Sequence, residues 1–243
     1  MLPHPPLKSH YDSSETKLEF VKRLFNCGAK YYDFMEDWGS FRTGAWYRRS
    51  ALERHGLRAG QHLLDVACGT GLVAVQAMKI LGGAENITCL DASEGMLAVA
   101  RTKLPARFLH ARAEQIPLSD DSFEFLTMGY ALRHVTNLEE AFQEYHRVLV
   151  AGGKVLILEI TRPANRISAF LFRAYFSRLL PFLARLFTHS GDARALMEYY
   201  WETMEACVLP ARILEAMRSS GLREVKCSTH FQFFTEYTAV KAS

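Results

Sequence analysis

The length and composition of the chain are those of one globular domain with a small additional segment. It has 243 residues, of which 49% are hydrophobic and 23% are charged. These values exclude a mainly disordered chain, a coiled coil and a collagen. The net charge of +3 is too small to indicate nucleic acid as a partner. The sequence has no run of about 18 uninterrupted apolar residues, so it predicts no membrane span.

The cysteines and the first residues predict a cytoplasmic protein. Five cysteines are an odd number, and they contain no Cys-x-x-Cys pair. This pattern argues against a disulfide framework or a metal site and favours reduced thiols. The opening residues, Met1 to Pro6, have neither a basic segment nor an apolar one, so they predict no secretory signal.

Residues 1–58 are predicted to form an N-terminal arm and a helical cap. The first 16 residues are polar and rich in proline at their start, which is typical of a loose arm. Helical patterns then follow one another, and Gly56 and Gly60 end the segment. The predicted helices cover 17–25, 31–35 and 46–55.

Residues 59–160 alternate between short apolar runs and helical patterns. Alternation of this kind, with nearly continuous apolar strands, predicts a parallel sheet with helices on both faces. The predicted strands are 62–66, 86–91, 106–110, 123–128 and 154–160, and the predicted helices are 72–81, 94–103 and 138–149.

The last third of the chain breaks this rhythm. Residues 161–208 are helical, aromatic and rich in arginine, which predicts a lid inserted near the carboxyl ends of the strands. Residues 209–243 contain a helix at 211–219 and strands at 225–229 and 231–240, which complete the sheet. The predicted fold is α/β, a Rossmann-like, seven-stranded, mostly parallel sheet with an antiparallel last strand and a helical lid insertion.

A nucleotide-binding signal follows the first strand. Gly69 and Gly71 allow a tight turn and the close approach of a ligand, and a helix begins just after them. Asp91 ends the next strand, 91 − 71 = 20 residues beyond the last glycine, where a carboxylate accepts hydrogen bonds from a ribose. The simpler alternative for Asp91 is a helix N-cap.

Asp65 discriminates between two cofactors that suit such a turn. The run from Gly69 to Ala74 also matches the dinucleotide pattern loosely, which is a weak signal for a nicotinamide oxidoreductase. A carboxylate four residues before Gly69 would repel a pyrophosphate and favour the ammonium and sulfonium of S-adenosylmethionine. The alternative is that Asp65 only caps the turn.

The segment from Asp65 to Gly71 resembles the first motif of class I S-adenosylmethionine-dependent methyltransferases. Further segments resemble successive motifs of the UbiE/MenG quinone C-methyltransferases, and the resemblance runs from about residue 19 to the C-terminus, weakest after 164. It implies S-adenosylmethionine as the cofactor and methyl transfer as the reaction. These segments are Tyr32-Asp33 with Met35, 91–97, 113–117, 130–135, 147–155 and 158–163.

The resemblance also implies a set of cofactor contacts. One position departs from the family, because Arg112 stands where relatives usually have an acceptor side chain for the adenine, and arginine has no acceptor. The implied contacts are Gly69, Thr70 and Gly71 with the methionine part, Asp91 and Ala92 with the ribose, Met96, Arg112 and Ala113 near the adenine, Gly129 beside the sulfonium and Tyr32 closing over the cofactor.

Three residues are candidates for catalysis. Arg133 follows the fourth strand and would stabilise a phenolate oxygen, and His134 replaces the asparagine of the family and would act as the base. Glu159 would order Arg133 or a substrate hydroxyl. The alternatives are a structural ion pair for Arg133, a loop hydrogen bond for His134 and an anchoring role for Glu159.

The lid points to a lipophilic acceptor. Residues 162–190 carry no acidic residue, and arginines are spaced among aromatic and aliphatic side chains, which favours an interfacial helix or an apolar pocket. Tyr130, Tyr199 and Glu202 are candidate substrate contacts. Glu198 and Glu205 stand where the family has arginines, which puts the acceptor in doubt.

Three hypotheses remain open. The first is C-methylation of a lipophilic quinol or hydroxyaromatic. The second is O-, N- or C-methylation of another small metabolite, and the third is an inactive partner protein that binds S-adenosylmethionine. Nucleic acid is not expected, whereas a peripheral membrane contact and a homodimer both stay open.

Overall fold

The computed structural model describes residues 1–8, 10–40 and 43–242. Nine α-helices lie in these ranges, together with a 3-10 turn at Leu132–His134 and a π-helical turn at Tyr175–Leu179. The helices are α1 (Ser14–Gly39), α2 (Gly44–Arg54), α3 (Leu72–Leu81), α4 (Glu94–Arg101), α5 (Leu138–Val148), α6 (Arg166–Ala174), α7 (Leu180–Thr188), α8 (Gly191–Ala206) and α9 (Pro210–Ser219).

A seven-stranded sheet forms the centre of the fold. In space the strands follow the order β3-β2-β1-β4-β5-β7-β6, and only β7 runs antiparallel to its two neighbours. The predicted α/β class and the antiparallel last strand are confirmed. The strands are β1 (Leu63–Val66), β2 (Ile87–Asp91), β3 (Arg107–His110), β4 (Phe123–Gly129), β5 (Leu149–Ile160), β6 (Leu222–His230) and β7 (Phe234–Lys241).

Each face of the sheet carries a hydrophobic core. Every residue of β1 and β2 is buried, as expected for central parallel strands. Alternation along β1 places Leu64 and Val66 in one core and Leu63 in the other. The strand order reverses between β1 and β4, so a crevice opens at their carboxyl ends.

Among the predicted element boundaries that are wrong, two concern α1 and β5. The helices expected at 17–25 and 31–35 form one helix, α1, and Gly28 inside it lets α8 approach, because a Cβ there would lie 2.7 Å from Leu196 Cδ2. β5 begins at Leu149 rather than at Lys154, and the pairing of β4 with β5 is interrupted between these two residues. Gly152, with φ +77°, lies within this irregular stretch.

The lid packs on the N-terminal helix. A third hydrophobic core joins residues of α1, such as Leu24 and Met35, to residues of α6, α7 and α8, such as Phe172, Ala184 and Leu196. The N-terminal helix and the lid are therefore one structural layer over the carboxyl edge of the sheet.

The lid contains one segment that is long and apolar enough to cross a membrane. It covers Arg166–Thr188, 23 residues with a mean hydropathy of 1.3 over its most apolar window. The sequence shows no uninterrupted apolar run in this segment, because arginines are spread through it. For that reason the segment was not predicted as a possible span. Core helices of globular proteins meet the same two criteria, so length and composition do not assign a membrane span here.

Candidate functional site

The glycine-rich loop between β1 and α3 is held from two sides. Gly69 N donates to Asp91 Oδ2 at 2.8 Å, and Thr70 Oγ1 donates to Asp33 Oδ1 of α1 at 2.5 Å. Gly69 and Gly71 have φ values of +57° and +81°, which favour glycine. A Cβ on Gly69 would meet no atom within 4 Å, so this part of the loop faces open space.

Asp91 joins two loops rather than capping a helix. Its Oδ1 accepts from Ser93 N at 2.8 Å, while its Oδ2 accepts from the glycine loop. The N-cap of α4 is Ser93, whose Oγ accepts from Met96 N at 3.2 Å. The N-cap alternative for Asp91 is therefore wrong, and its carboxylate sits at the edge of the crevice.

A cleft with an empty volume of about 960 Å³ opens over this loop. Most of the predicted cofactor residues line it, with His134 and Tyr130, and so do several residues that the sequence did not single out, among them Phe25, Arg48, Ser93 and Glu114. The predicted cofactor residues in the lining are Tyr32, Gly69, Thr70, Asp91, Ala92, Met96, Arg112, Ala113 and Gly129.

Asp65 and Gly71 lie behind this lining. Asp65 is fully buried, and its Oδ1 accepts from Thr127 Oγ1 at 2.8 Å. Its Oδ2 has no hydrogen-bond partner among the described residues, and burial raises the pKa of the carboxyl to about 7. Asp65 and Gly71 were expected among the cofactor contacts, but Asp65 lies behind the lining of the cleft and Gly71 shapes the turn.

The cleft is lined by charges of both signs, Asp91 and Glu114 against Lys22, Arg48 and Arg112. Asp91 lines it, Asp65 lies just behind it, and the buried Oδ2 of Asp65 lacks a donor. Arg112 pairs with Glu114 and donates to Thr136 Oγ1 at 2.6 Å, so its charge is neutralised. Asp91 can accept hydrogen bonds from a ribose, and the open space at Gly69 leaves room for the methionine part, so these residues fit S-adenosylmethionine. Within the described ranges, no group of three or more His, Cys, Asp or Glu side chains could hold a metal ion.

Arg133 is a buried link between the sheet and the lid. Its Nε donates to Glu159 Oε2 at 3.0 Å, and its two terminal nitrogens donate to the carbonyl oxygens of Tyr130 and Tyr200. Burial lowers the pKa of Arg133, but Glu159 and Tyr200 raise it by more, so the guanidinium stays charged. Neither Arg133 nor Glu159 lines the cofactor cleft or the larger cavity, and the structure has the arrangement in which Glu159 orders Arg133.

His134 lines the cofactor cleft but is a poor base. Its ring stacks on Tyr199 at a centroid distance of 5.5 Å. Burial, together with the charges of Arg133 and Lys17, lowers its pKa well below the usual value, so the imidazole is neutral and binds a proton weakly. Tyr199 is fully buried, and Glu202 pairs with His10 outside the cavities, so the predicted substrate contacts at these two positions are corrected.

A second, larger cavity lies under the lid, with an empty volume of about 1570 Å³. Its described lining is mainly apolar, and Glu36 and Arg48 are the charged residues in it. Apolar and aromatic members of the lining are Met35, Ile160, Leu171, Phe172, Tyr175, Phe176, Leu180, Met197, Tyr200, Phe231, Phe233 and Phe234.

Three side chains form a wall shared by the two cavities. Tyr32, Arg48 and Tyr130 line both of them. Tyr130 has φ +59°, an unusual backbone for a bulky residue, and its N–H donates to Leu158 O at 2.7 Å. This backbone places the ring at the wall.

No sequence motif contains Arg48, but its position on α2 marks it. The buried residues of α2 follow a helical spacing, and Arg48 occupies one of these positions. A charged side chain on a buried helix face is rarely without a partner or a function. The buried positions of α2 are Gly44, Tyr47, Arg48, Ala51 and Leu52.

Comparisons with known sequences place the chain in a family. Residues 11–235 match the ubiE/COQ5 methyltransferase family. The chain is 32% identical over 221 residues to a demethylmenaquinone methyltransferase of Halalkalibacterium halodurans, covering 88% of each chain. It is 31% identical over 219 residues to the ubiquinone/menaquinone biosynthesis C-methyltransferase UbiE of Shewanella pealeana, covering 87% of this chain and 86% of the relative.

Solved structures share the fold. A SAM-dependent methyltransferase from Aquifex aeolicus superimposes with a TM-score of 0.59 at 16% identity, covering 80% of this chain and 89% of the other. The phosphoethanolamine N-methyltransferase 2 of Haemonchus contortus, solved with S-adenosylhomocysteine, gives 0.62 at 18% identity over 90% of this chain and 58% of the other. Likeness at this level of identity concerns the fold alone.

The sheet order, the glycine loop and the carboxylate of Asp91 at the cleft are those of a class I S-adenosylmethionine-dependent methyltransferase. Its cofactor is S-adenosylmethionine. Within this class, the match over residues 11–235 shows that the chain belongs to the ubiE/COQ5 methyltransferase family.

Proposed function

We propose that the enzyme methylates a ring carbon of a lipophilic hydroxyaromatic compound, with a quinol as the preferred acceptor. The observation that carries the proposal is the wall shared by the two cavities, formed by Tyr32, Arg48 and Tyr130. The cleft over the glycine loop lies on one side and a larger, mainly apolar cavity on the other. Relatives named as methyltransferases of menaquinone and ubiquinone synthesis support the same acceptor class.

The bound cofactor supplies an electrophilic methyl group, and the residues of this chain supply alignment. We assign the methionine part to the loop at Gly69 and Thr70, and the ribose to Asp91, whose carboxylate is already held in place. Burial raises the pKa of Tyr32 and of Tyr130, so both are neutral phenols that shape the wall without taking a proton.

The lining of the larger cavity supports an aromatic acceptor with an apolar tail. The rings of Phe172, Phe176 and Phe233 lie close to one another, with Phe172 4.5 Å from Phe176 and 5.8 Å from Phe233 between centroids. Such rings pack well against a flat ring, and burial of an apolar tail adds about 0.8 kcal/mol per CH₂. A small polar metabolite would leave most of this lining in contact with water.

We further propose that α6 and α7 rest on a membrane surface that contains anionic lipid. Ile167, Phe170 and Phe182 are 73%, 70% and 61% exposed. Four arginines, at 166, 173, 178 and 185, lie among them on the same two helices and the turn between them. Leu171 is both exposed and part of the cavity lining, so this surface adjoins the cavity into which the acceptor would pass.

An assay with defined acceptors tests the reaction. The purified enzyme is incubated with S-adenosylmethionine and a demethylated naphthoquinol that carries an isoprenoid tail, and the product is located by mass spectrometry and NMR. A new methyl group on a ring carbon is expected, and the oxidised quinone serves as the control that lacks hydroxyl groups. Methylation of small amines or alcohols, with none on the quinol, would contradict the proposal.

Vesicle flotation tests the membrane contact. Binding to phosphatidylcholine vesicles should rise when phosphatidylglycerol is added, and Phe170→Ser with Phe182→Ser should abolish it. Leu209→Ser is the matched control, because Leu209 is 74% exposed and lies outside the lid helices. A homodimer that covers the same surface would instead appear in light scattering, without any binding to the vesicles.

A further inference from the structure

Arg48 is a buried charge at the meeting point of the two cavities. It is only 4% exposed, and its Nη2 donates to Glu36 Oε1 at 2.7 Å. Its guanidinium lies 5.2 Å from the centre of the Tyr130 ring. Gly44 packs closely against the pair, because a Cβ there would displace the ends of the Glu36 and Arg48 side chains.

One donor of this guanidinium has no acceptor. The Nε of Arg48 is buried, and no hydrogen-bond partner for it exists among the described residues. Leaving a buried donor unpaired costs about 1–3 kcal/mol, and more for a charged group. A buried charged donor of this kind in the wall of a cavity indicates an acceptor atom that a ligand brings.

The neighbouring groups are poor alternatives for binding an acceptor oxygen. The guanidinium of Arg133 is bonded to Glu159 and to two backbone carbonyl oxygens. His134 is neutral and lines only the cofactor cleft. In the described lining of the larger cavity under the lid, Arg48 is the positively charged side chain and Glu36 the negatively charged one.

We propose that the guanidinium of Arg48 binds the ring oxygen of the acceptor, and that Glu36 orients Arg48 and takes the hydroxyl proton. The inference rests on the proposed function and names the residues that recognise its substrate. The O–H bond breaks, its proton goes to a carboxylate oxygen of Glu36, and Arg48 holds the resulting oxyanion. The activated ring carbon then bonds to the methyl group, while the electron pair of the broken carbon–sulfur bond stays on sulfur. The ring proton at that carbon goes to water, and the proton on Glu36 returns to the oxygen.

The test compares Arg48→Lys and Arg48→Met with Arg49→Met. Arg49 is the matched control, since it lies on the same helix, is half exposed and pairs with Glu53. Loss of one donor to an oxyanion lowers kcat by about 10²–10³-fold. Both Arg48 variants should show this loss, while calorimetry with S-adenosylhomocysteine should show an affinity within about threefold of the wild type. Arg48→Lys keeps the charge beside Glu36, which makes it the variant to read if Arg48→Met does not fold.

An acceptor whose hydroxyl is blocked as a methyl ether tests whether Arg48 acts on that oxygen. The wild type should methylate this ether as slowly as Arg48→Lys methylates the free phenol. Arg48→Lys should methylate the ether only slightly more slowly than the wild type does. The acceptor pKa seen in the pH profile of kcat should rise by about one unit or more in Arg48→Met, because that variant removes the nearby cation that lowers the pKa of the phenol.

The outcomes separate the two proposals. If the wild type methylates the quinol and Arg48→Lys keeps its kcat, the role of Arg48 is overturned and the proposed function stands. If the wild type methylates no hydroxyaromatic acceptor, both are overturned.

Discussion

The cofactor cleft and the lid are stabilised by different kinds of interaction. The cleft is held by hydrogen bonds between backbone groups and short side chains from separate loops, such as Gly69 with Asp91 and Asp91 with Ser93. The lid is held by apolar packing against α1, and large side chains such as Phe170 remain exposed. Few residue types meet the backbone demands of the cleft, whereas many apolar side chains fill a cavity. Motifs are therefore dense in the first region and sparse in the second.

The largest expected effect concerns the residue that joins these regions. Arg133→Met leaves Glu159 buried without its partner, and breaking a buried pair in this way costs about 3–5 kcal/mol. Urea unfolding should show this loss. Arg133→Met with Glu159→Gln should recover part of it, because no unpaired charge remains. A loss below about 1 kcal/mol would mean that the sheet and the lid are not coupled through this pair.

The next effect is a pH dependence that originates behind the cofactor cleft. The pKa of Asp65 rises from 3.8 to about 7 through burial, so between these values the folded state binds a proton that the unfolded state lacks. Its contribution to the unfolding free energy therefore falls as pH rises, by about 2–3 kcal/mol between pH 5 and pH 8. Asp65→Asn removes this contribution. The measurement is the difference in unfolding free energy between wild type and variant at the two pH values. If the unfolding free energies of the two proteins change in parallel with pH, the prediction is refuted.

The third effect is expected on cofactor affinity, and it concerns the cleft and not the lid. Asp91→Ala removes the proposed ribose contact and the support of the glycine loop, so binding of S-adenosylhomocysteine should weaken by about 1.5–3 kcal/mol. Calorimetry measures this loss. Glu94→Ala is the control, because Glu94 begins the next helix but is exposed and pairs with Arg101. Equal affinities of wild type and Asp91→Ala would remove the ribose role.

The smallest effect is expected on the lid surface. Arg194 and Glu198 form an exposed pair one turn apart on α8. Such pairs contribute about 0.3–0.5 kcal/mol, so Arg194→Ala should hardly change the urea midpoint. A loss above about 1 kcal/mol would show that surface charge, rather than apolar packing, holds the lid.

The sequence by itself determined the order of the elements and most of the cofactor cleft. Gly69 and Gly71 were recognisable because a tight turn with positive φ excludes most other residues. Asp91 was recognisable from its place at the end of a buried strand. Constraints of this kind act within a few residues of the chain, so a single sequence displays them.

Only the tertiary structure decided what the charged residues do. Asp65 lies behind the cleft and Arg133 is bound to β5 and α8, although the sequence suggested ligand contacts for both. Arg48 and Glu36 meet from two helices at the wall of two cavities, and no motif marked them. The role of a charge depends on which distant elements surround it and on how far they remove it from water, and those neighbours are brought together only when the chain folds.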